Sequence, residues 1–113
     1  MTAYHLIIGI TLISAGALLS WIGVAGRRGT LKPNSWIGIR TSALLASERT
    51  WRAGHKAAAP QFLAAGAGVL LAGLFCLFLP FDAVTAVSTG STVWLLIFVA
   101  WGGSKANKAA EQA

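Results

Sequence analysis

Three long apolar blocks, free of formal charge, constrain what this chain can fold into more than any other feature. They occupy about residues 4–25, 61–80 and 83–103, and none contains Asp, Glu, Lys or Arg. A helix rises about 1.5 Å per residue, so roughly twenty residues cover the ~30 Å hydrocarbon core of a bilayer. The blocks are continuous rather than spaced at a helical or strand period, which is the pattern of a chain solvated by lipid. Of the 113 residues, 56% are hydrophobic and 11% are charged, whereas an ordinary soluble domain is about a quarter charged. A soluble fold this small could not hide so much apolar surface. The expected fold is an all-α membrane protein of one domain, residues 1–113: a three-transmembrane-helix bundle with a basic cytoplasmic loop that contains a short interfacial helix.

The block edges set the topology. The first block begins after Met1-Thr2-Ala3 without a cation, and Arg27 and Arg28 follow it. A cleaved signal peptide has the reverse order and a shorter apolar core, so the block reads as a true span. Pro60 stands just before the second block, where proline suits a helix start. Pro80 closes it, and Asp82 stands where an N-cap belongs before the third. So short a turn makes spans two and three an antiparallel hairpin. Loop 26–56 carries Arg27, Arg28, Lys32, Arg40, Arg49, Arg52 and Lys56 against Glu48 alone, and the tail carries Lys105 and Lys108 against Glu111. The positive-inside rule puts the loop and the C-terminus in the cytoplasm, with the N-terminus and the Asp82 turn outside.

Lipid is as apolar as leucine, so helices associate in it by close packing of small residues. The second span offers Ala64, Gly68 and Ala72 at four-residue spacing, with Ala65 and Gly73 nearby; the first offers Gly16 and Ser20. In the third, Ser88, Ser91 and Thr92 are expected to bond back to their own helix, the alternative being that they line a polar cavity. Trp21 and Trp101 fall near the inner interface, as depth anchors do. His5 is expected to be solvated at the outer end. Cys76, the one cysteine, is expected to act as a small hydrophobe.

The stretch Lys32–Lys56 is more than a connector. Its second half suggests a short helix with Ser47 as N-cap, Glu48 in the first turn, and Glu48–Arg52 and Trp51–His55 at i,i+4. One face would carry the charges and the other Trp51 and His55. The first half, around Trp36, Ile37, Gly38, Ile39, Arg40 and Thr41, is apolar about one cation, as suits a segment lying in the interface. Arg40 is expected to clamp onto Glu48, the loop's only acid; contact with a ligand, a partner protein or lipid is the alternative. His55 is read as a packing and hydrogen-bonding residue before a titrating one.

The order Asn34-x-x-x-Gly38-Ile39-Arg40-Thr41, then Ser47-Glu48-x-x-Trp51-x-x-x-His55, resembles the signature of the SdpI family of bacterial membrane proteins. There, too, the motif lies between two membrane helices. Two departures stand out: the residue after Arg-Thr, often proline in the family, is Ser42, and Ala43 and Leu44 replace a common threonine. The resemblance implies a multi-pass protein of the bacterial cytoplasmic membrane. It also implies immunity to, or sensing of, a peptide toxin through binding a peptide or a regulator protein. Asn34, Gly38, Arg40, Thr41, Ser47, Glu48, Trp51 and His55 are the motif residues.

Other classes find little support. The net charge of +6 lies beside the apolar blocks, where it serves topology and anionic lipid, and no nucleic-acid-binding module surrounds it. His5, His55, Asp82 and Cys76 are too scattered for a metal site, and no paired carboxylates, Ser-His-Asp set or phosphate loop can be assembled. The expectation is a protein without enzymatic activity, cofactor or metal, with membrane lipids and a peptide toxin or regulator as partners. A small accessory subunit of a larger membrane complex, or a homo-oligomer, is the alternative.

Overall fold

The structure, a computed structural model, describes residues 2–113. Four helices follow in order: α1 (Ala3–Arg28), α2 (Ser42–Leu45), α3 (Glu48–Cys76) and α4 (Phe81–Gln112). There is no strand among the described residues. α1, α3 and α4 are each long and apolar enough to cross a membrane. The molecule measures 48 × 20 × 19 Å, so its long axis exceeds the ~30 Å hydrocarbon core. The surplus length lies at the basic end, where α3 and α4 run beyond their apolar stretches.

Each terminus has a local cause. α1 stops at Gly29, whose φ of 72° is left-handed, and the N–H of Thr30 bonds back to the Ala25 carbonyl at 2.9 Å. α3 starts at Ser47, whose Oγ accepts the Thr50 N–H at 3.1 Å while Thr50 Oγ1 accepts the Ser47 N–H at 2.9 Å. Ser47 is the expected N-cap, and Thr50 completes a reciprocal pair with it.

Three boundaries differ from the sequence expectation. The helix begun at Ser47 does not stop before the second span, and α3 runs unbroken through Pro60. Proline removes the bond to the carbonyl four residues earlier and crowds that oxygen with its ring. That residue, Lys56, is exposed, so its carbonyl can meet water at the membrane edge. Ala57-Ala58-Ala59 are strong helix formers, and packing of the inner face on both sides of Pro60 does the rest. At the hairpin, Pro80 is the N-cap of α4 and Asp82 lies inside its first turn; there the carboxylate favours the helix dipole instead of capping. α4 also continues well past Gly103, because Ala106 and Ala110 are buried against the basic end.

α3 is the central helix, its apolar window 50% buried against 11% for that of α4. Its two faces differ. Toward α1 it presents Gly66 and Gly73, which meet Gly16 and Gly9, while Gly23 of α1 packs on Leu63. A methyl on Gly16 would lie 2.7 Å from the Gly66 carbonyl oxygen, and one on Gly73 would lie 2.9 Å from that of Gly9. Toward α4 it presents Ala65, Val69, Ala72 and Cys76 in the buried interior, with Gly68 beneath the Trp94 indole. Trp94 Nε1–H donates to the Ala64 carbonyl at 2.9 Å. The hydroxyls of Ser88, Ser91 and Thr92 donate to their own helix carbonyls at 2.8–3.1 Å, the expected back-bonding.

His5 is not solvated. It is 8% exposed, and its Nε2 lies 2.8 Å from the Leu79 carbonyl. The Thr2 N–H approaches Nδ1 at 3.3 Å, so Nδ1 accepts and Nε2 carries the proton. The ring therefore ties the start of α1 to the hairpin turn. Nothing local in the sequence announces a contact between residues so far apart.

Candidate functional site

The motif residues gather at the basic end, where segment 30–41 folds over the first turns of α3. Trp51 is 1% exposed and His55 3% exposed, on the inner face of that helix. Their rings lie 4.3 Å apart between centroids. Trp51 Nε1–H donates to the Leu31 carbonyl at 3.0 Å, pinning the start of the segment. His55 pins its end. The Ile39 N–H donates to His55 Nε2 at 2.8 Å, so Nε2 must be the bare nitrogen and Nδ1 carries the proton, given to the Trp51 carbonyl at 2.8 Å. His55 precedes the apolar stretch of α3. Burial holds its imidazole below the ordinary value near 6.5, and the Trp51 carbonyl pulls weakly the other way. The neutral ring is also the only form that can accept from Ile39.

Gly38 fits between these two pins because it has no side chain. Its φ is 120°, and a Cβ there would lie 2.7 Å from His55 Nε2 and 2.9 Å from Trp51. Both the backbone conformation and the space demand glycine. Asn34 shapes the turn before it. Its Oδ1 accepts the N–H groups of Trp36 and Ile37 at 2.8 and 2.7 Å, and its Nδ2 donates to the carbonyls of Lys32 and Ile37. One amide side chain thus satisfies four backbone groups of an irregular segment, an Asx turn extended on both sides.

Arg40 does not clamp Glu48. Its guanidinium donates to the Asn34 carbonyl, closing the turn from below, and the side chain is exposed. Glu48 instead meets Arg52 at 3.3 Å, the single ion pair among the described residues. The helix holds Arg52 one turn away at no extra cost in order, whereas Arg40 belongs to a turn with its own unsatisfied carbonyl. Both members of the Glu48–Arg52 pair are more than half exposed, so it contributes only about 0.3–0.5 kcal/mol.

Thr41 caps α2, its Oγ1 accepting the Leu44 N–H at 3.4 Å. Ser42, which stands where the family often has proline, is the first residue of that helical turn. Proline is favoured at that position too, so the departure leaves the backbone unchanged. Leu44 is fully buried over Gly54, where a methyl would lie 2.7 Å from its Cγ. Gly26 presses α1 onto the His55 backbone in the same manner, its absent Cβ 2.8 Å from the His55 carbonyl oxygen.

Of the motif residues, Asn34 and Arg40 meet in the turn, and Gly38, Trp51 and His55 meet beneath it. Thr41 and Ser47 cap helices at its edge, and Glu48 faces outward. Sequence reasoning missed Gly26, Leu31, Leu44, Thr50 and Gly54, which complete the packing. Isolated glycines at helix positions 26 and 54 were a readable signal of close approach; Leu31 and Leu44 gave none. No group of three or more His, Cys, Asp or Glu side chains converges among the described residues.

The arrangement defines a class first: a multi-pass membrane protein whose irregular loop is locked by side-chain hydrogen bonds onto a helix extending from the bilayer. The family model described as the SdpI/YfhL protein family matches residues 30–103, well over half of the chain, and the protein belongs to that family. The match takes in the whole motif segment, α2, α3 and the spanning part of α4. No curated protein and no solved structure matches.

Proposed function

We propose that this chain protects against, or senses, a peptide toxin by binding a peptide or a partner protein, without catalysis, in the bacterial cytoplasmic membrane. The observation that carries the reading is the use to which the motif is put. Asn34, Trp51 and His55 spend their hydrogen-bonding capacity inward, on the backbone of segment 30–41, and Thr41 and Ser47 spend theirs on the first turns of α2 and α3. Both His55 nitrogens are engaged. Such a set builds a rigid platform and leaves no poised acid, base or nucleophile. Beside the platform, Arg49, Arg52 and Lys56 line a shallow groove of about 500 Å³ with Glu48 at its edge. A cationic groove of this kind suits an acidic surface of a partner.

The basic excess of this end supports a cytoplasmic position for it and for the C-terminus, with the N-terminus and the Asp82 turn outside. A cysteine introduced at Asp82 is expected to react with an impermeant thiol reagent on intact cells, and one at Thr30 is not; the opposite pattern reverses the orientation. Function is tested by survival of a deletion strain exposed to peptide toxin. Restoring the chain restores survival, and Arg49→Gln/Arg52→Gln/Lys56→Gln, at normal membrane levels, does not. Full protection by that variant removes the groove from the reading.

One observation favours a second role, as a small subunit of a larger membrane complex. α1 and α4 both lean on α3 and barely touch each other. They leave a lateral groove of about 400 Å³ lined by Ile7, Ile8, Thr11, Leu12, Ser88, Thr89 and Thr92. Another helix would fit there. Copurification of a stoichiometric membrane partner in mild detergent would support this role.

A further inference from the structure

Trp36 is 90% exposed, the highest value among the large apolar side chains. Yet it is not on a loose loop. Its N–H is held by Asn34 Oδ1 at 2.8 Å, the Arg40 guanidinium closes the same turn, and Ile39 is pinned to His55 three residues on. A rigid turn that holds an indole outward needs something for the indole to enter.

Depth identifies it. Lys56 is the last charge of α3 before its apolar stretch. Trp51 lies five residues earlier, about 7.5 Å along the axis at ~1.5 Å per residue. The segment rests on Trp51 and His55 through Leu31, Gly38 and Ile39. It therefore occupies the layer just beyond the hydrocarbon edge, and headgroups fill about 5–8 Å on each side of a bilayer. α4 marks the hydrocarbon edge independently, a few residues deeper than the segment. Gly102 packs on Gln61 and Phe62, the neighbouring Trp101 is half-exposed, and the Lys105 ammonium sits 5.9 Å from its ring. Aromatic rings with nearby cations mark membrane–water interfaces.

Charge agrees. From Thr2 to Ser47 the sequence has no Asp or Glu, and Lys32 and Arg40 flank the Trp36 turn. The next acid, Glu48, is already engaged by Arg52. We propose that the Asn34 turn is a membrane-surface anchor: Trp36 enters the boundary between headgroups and acyl chains, while Lys32 and Arg40 bind the phosphates of anionic phospholipid. The loop then does more than join two spans. It fixes the height and tilt of the extended end of α3 against the lipid surface.

The test uses the full chain in nanodiscs, labelled with 5-fluorotryptophan. The Trp36 fluorine line is assigned by its loss in Trp36→Phe. A headgroup-spin-labelled lipid is expected to broaden that line, and a water-soluble gadolinium chelate to leave it sharp. Broadening by the chelate and not by the lipid label overturns the proposal and leaves the indole free for a protein partner. In mixed phosphatidylglycerol and phosphatidylcholine discs, Lys32→Gln is expected to lower the preference for phosphatidylglycerol about fivefold, one surface cation's share. An unchanged preference overturns the phosphate contact. Inorganic phosphate added to pure phosphatidylcholine discs is expected not to raise the unfolding temperature as phosphatidylglycerol does. Equal stabilisation would make free phosphate, not lipid, the ligand.

Discussion

The two halves of this molecule are held by opposite means. Within the membrane, α1 and α3 approach through Gly9, Gly16, Gly23, Gly66 and Gly73, and what joins them is the near absence of side chains. At the basic end, segment 30–41 has no helical ladder, and Asn34, Trp51 and His55 supply partners for its backbone. The difference follows from the solvent. Lipid gives helices no hydrophobic reason to meet, so dispersion between close backbones must serve. Beyond the hydrocarbon an irregular chain is allowed, but its buried N–H and C=O groups still need partners.

That contrast can be broken by substitution, with thermal unfolding in one detergent as the measurement. Trp51→Ala is expected to cost most, about 3–5 kcal/mol, since it empties the core of the basic end and frees the Leu31 carbonyl. Gly16→Ala comes next at about 1–3 kcal/mol, because a single methyl must push apart two backbones. Gly90→Ala is its control. Nothing lies within 4 Å of that position, and loss of a helical glycine is expected to stabilise by up to about 1 kcal/mol. If Gly16→Ala were as harmless as Gly90→Ala, the glycine seam would not hold the helices.

Acid should act on the basic end through His55. His55 is neutral in the fold, and its pKa there lies below the unfolded value near 6.5. Between the two values the unfolded chain binds more protons, so stability rises with pH in that window. It is fully present above about 6.5 and is lost as pH falls toward the folded value. The unfolding temperature is therefore expected to drop on acidification below pH 6.5, and to drop less in His55→Gln. An equal drop in both would place the acid-sensitive group elsewhere. The smallest effect belongs to Glu48→Ala, within about 0.5 kcal/mol, because its partner Arg52 is solvated. Combined with Arg40→Ala it should add without coupling, as expected of side chains that do not meet.

Much of this was legible from residue order. The three spans, the hairpin at Pro80, the Ser47 cap, and the division of Trp51 and His55 from Glu48 and Arg52 follow from local periodicity and capping. What escaped was tertiary or ran against a local rule. Pro60 suggested a helix start, yet the helix runs through it, with the Lys56 position at an exposed edge. Arg40 suggested a carboxylate partner, but the carbonyl of Asn34 lay nearer. His5 gave no sign of its bond to Leu79, seventy-four residues away. The packing role of Gly66 depends on which face α1 occupies, and composition alone did not fix that.

The central claim is that the motif locks an irregular segment onto α3 through the imidazole of His55. Amide hydrogen exchange at Ile39, resolved by NMR on the full chain in nanodiscs, tests it most directly. Its N–H should exchange as slowly as amides in the body of α3, despite lying outside any helix, and should become fast in His55→Ala while Val69 stays protected. Exchange of Ile39 at the rate of an unstructured chain in the unaltered protein, or unchanged slow exchange in His55→Ala, would contradict it.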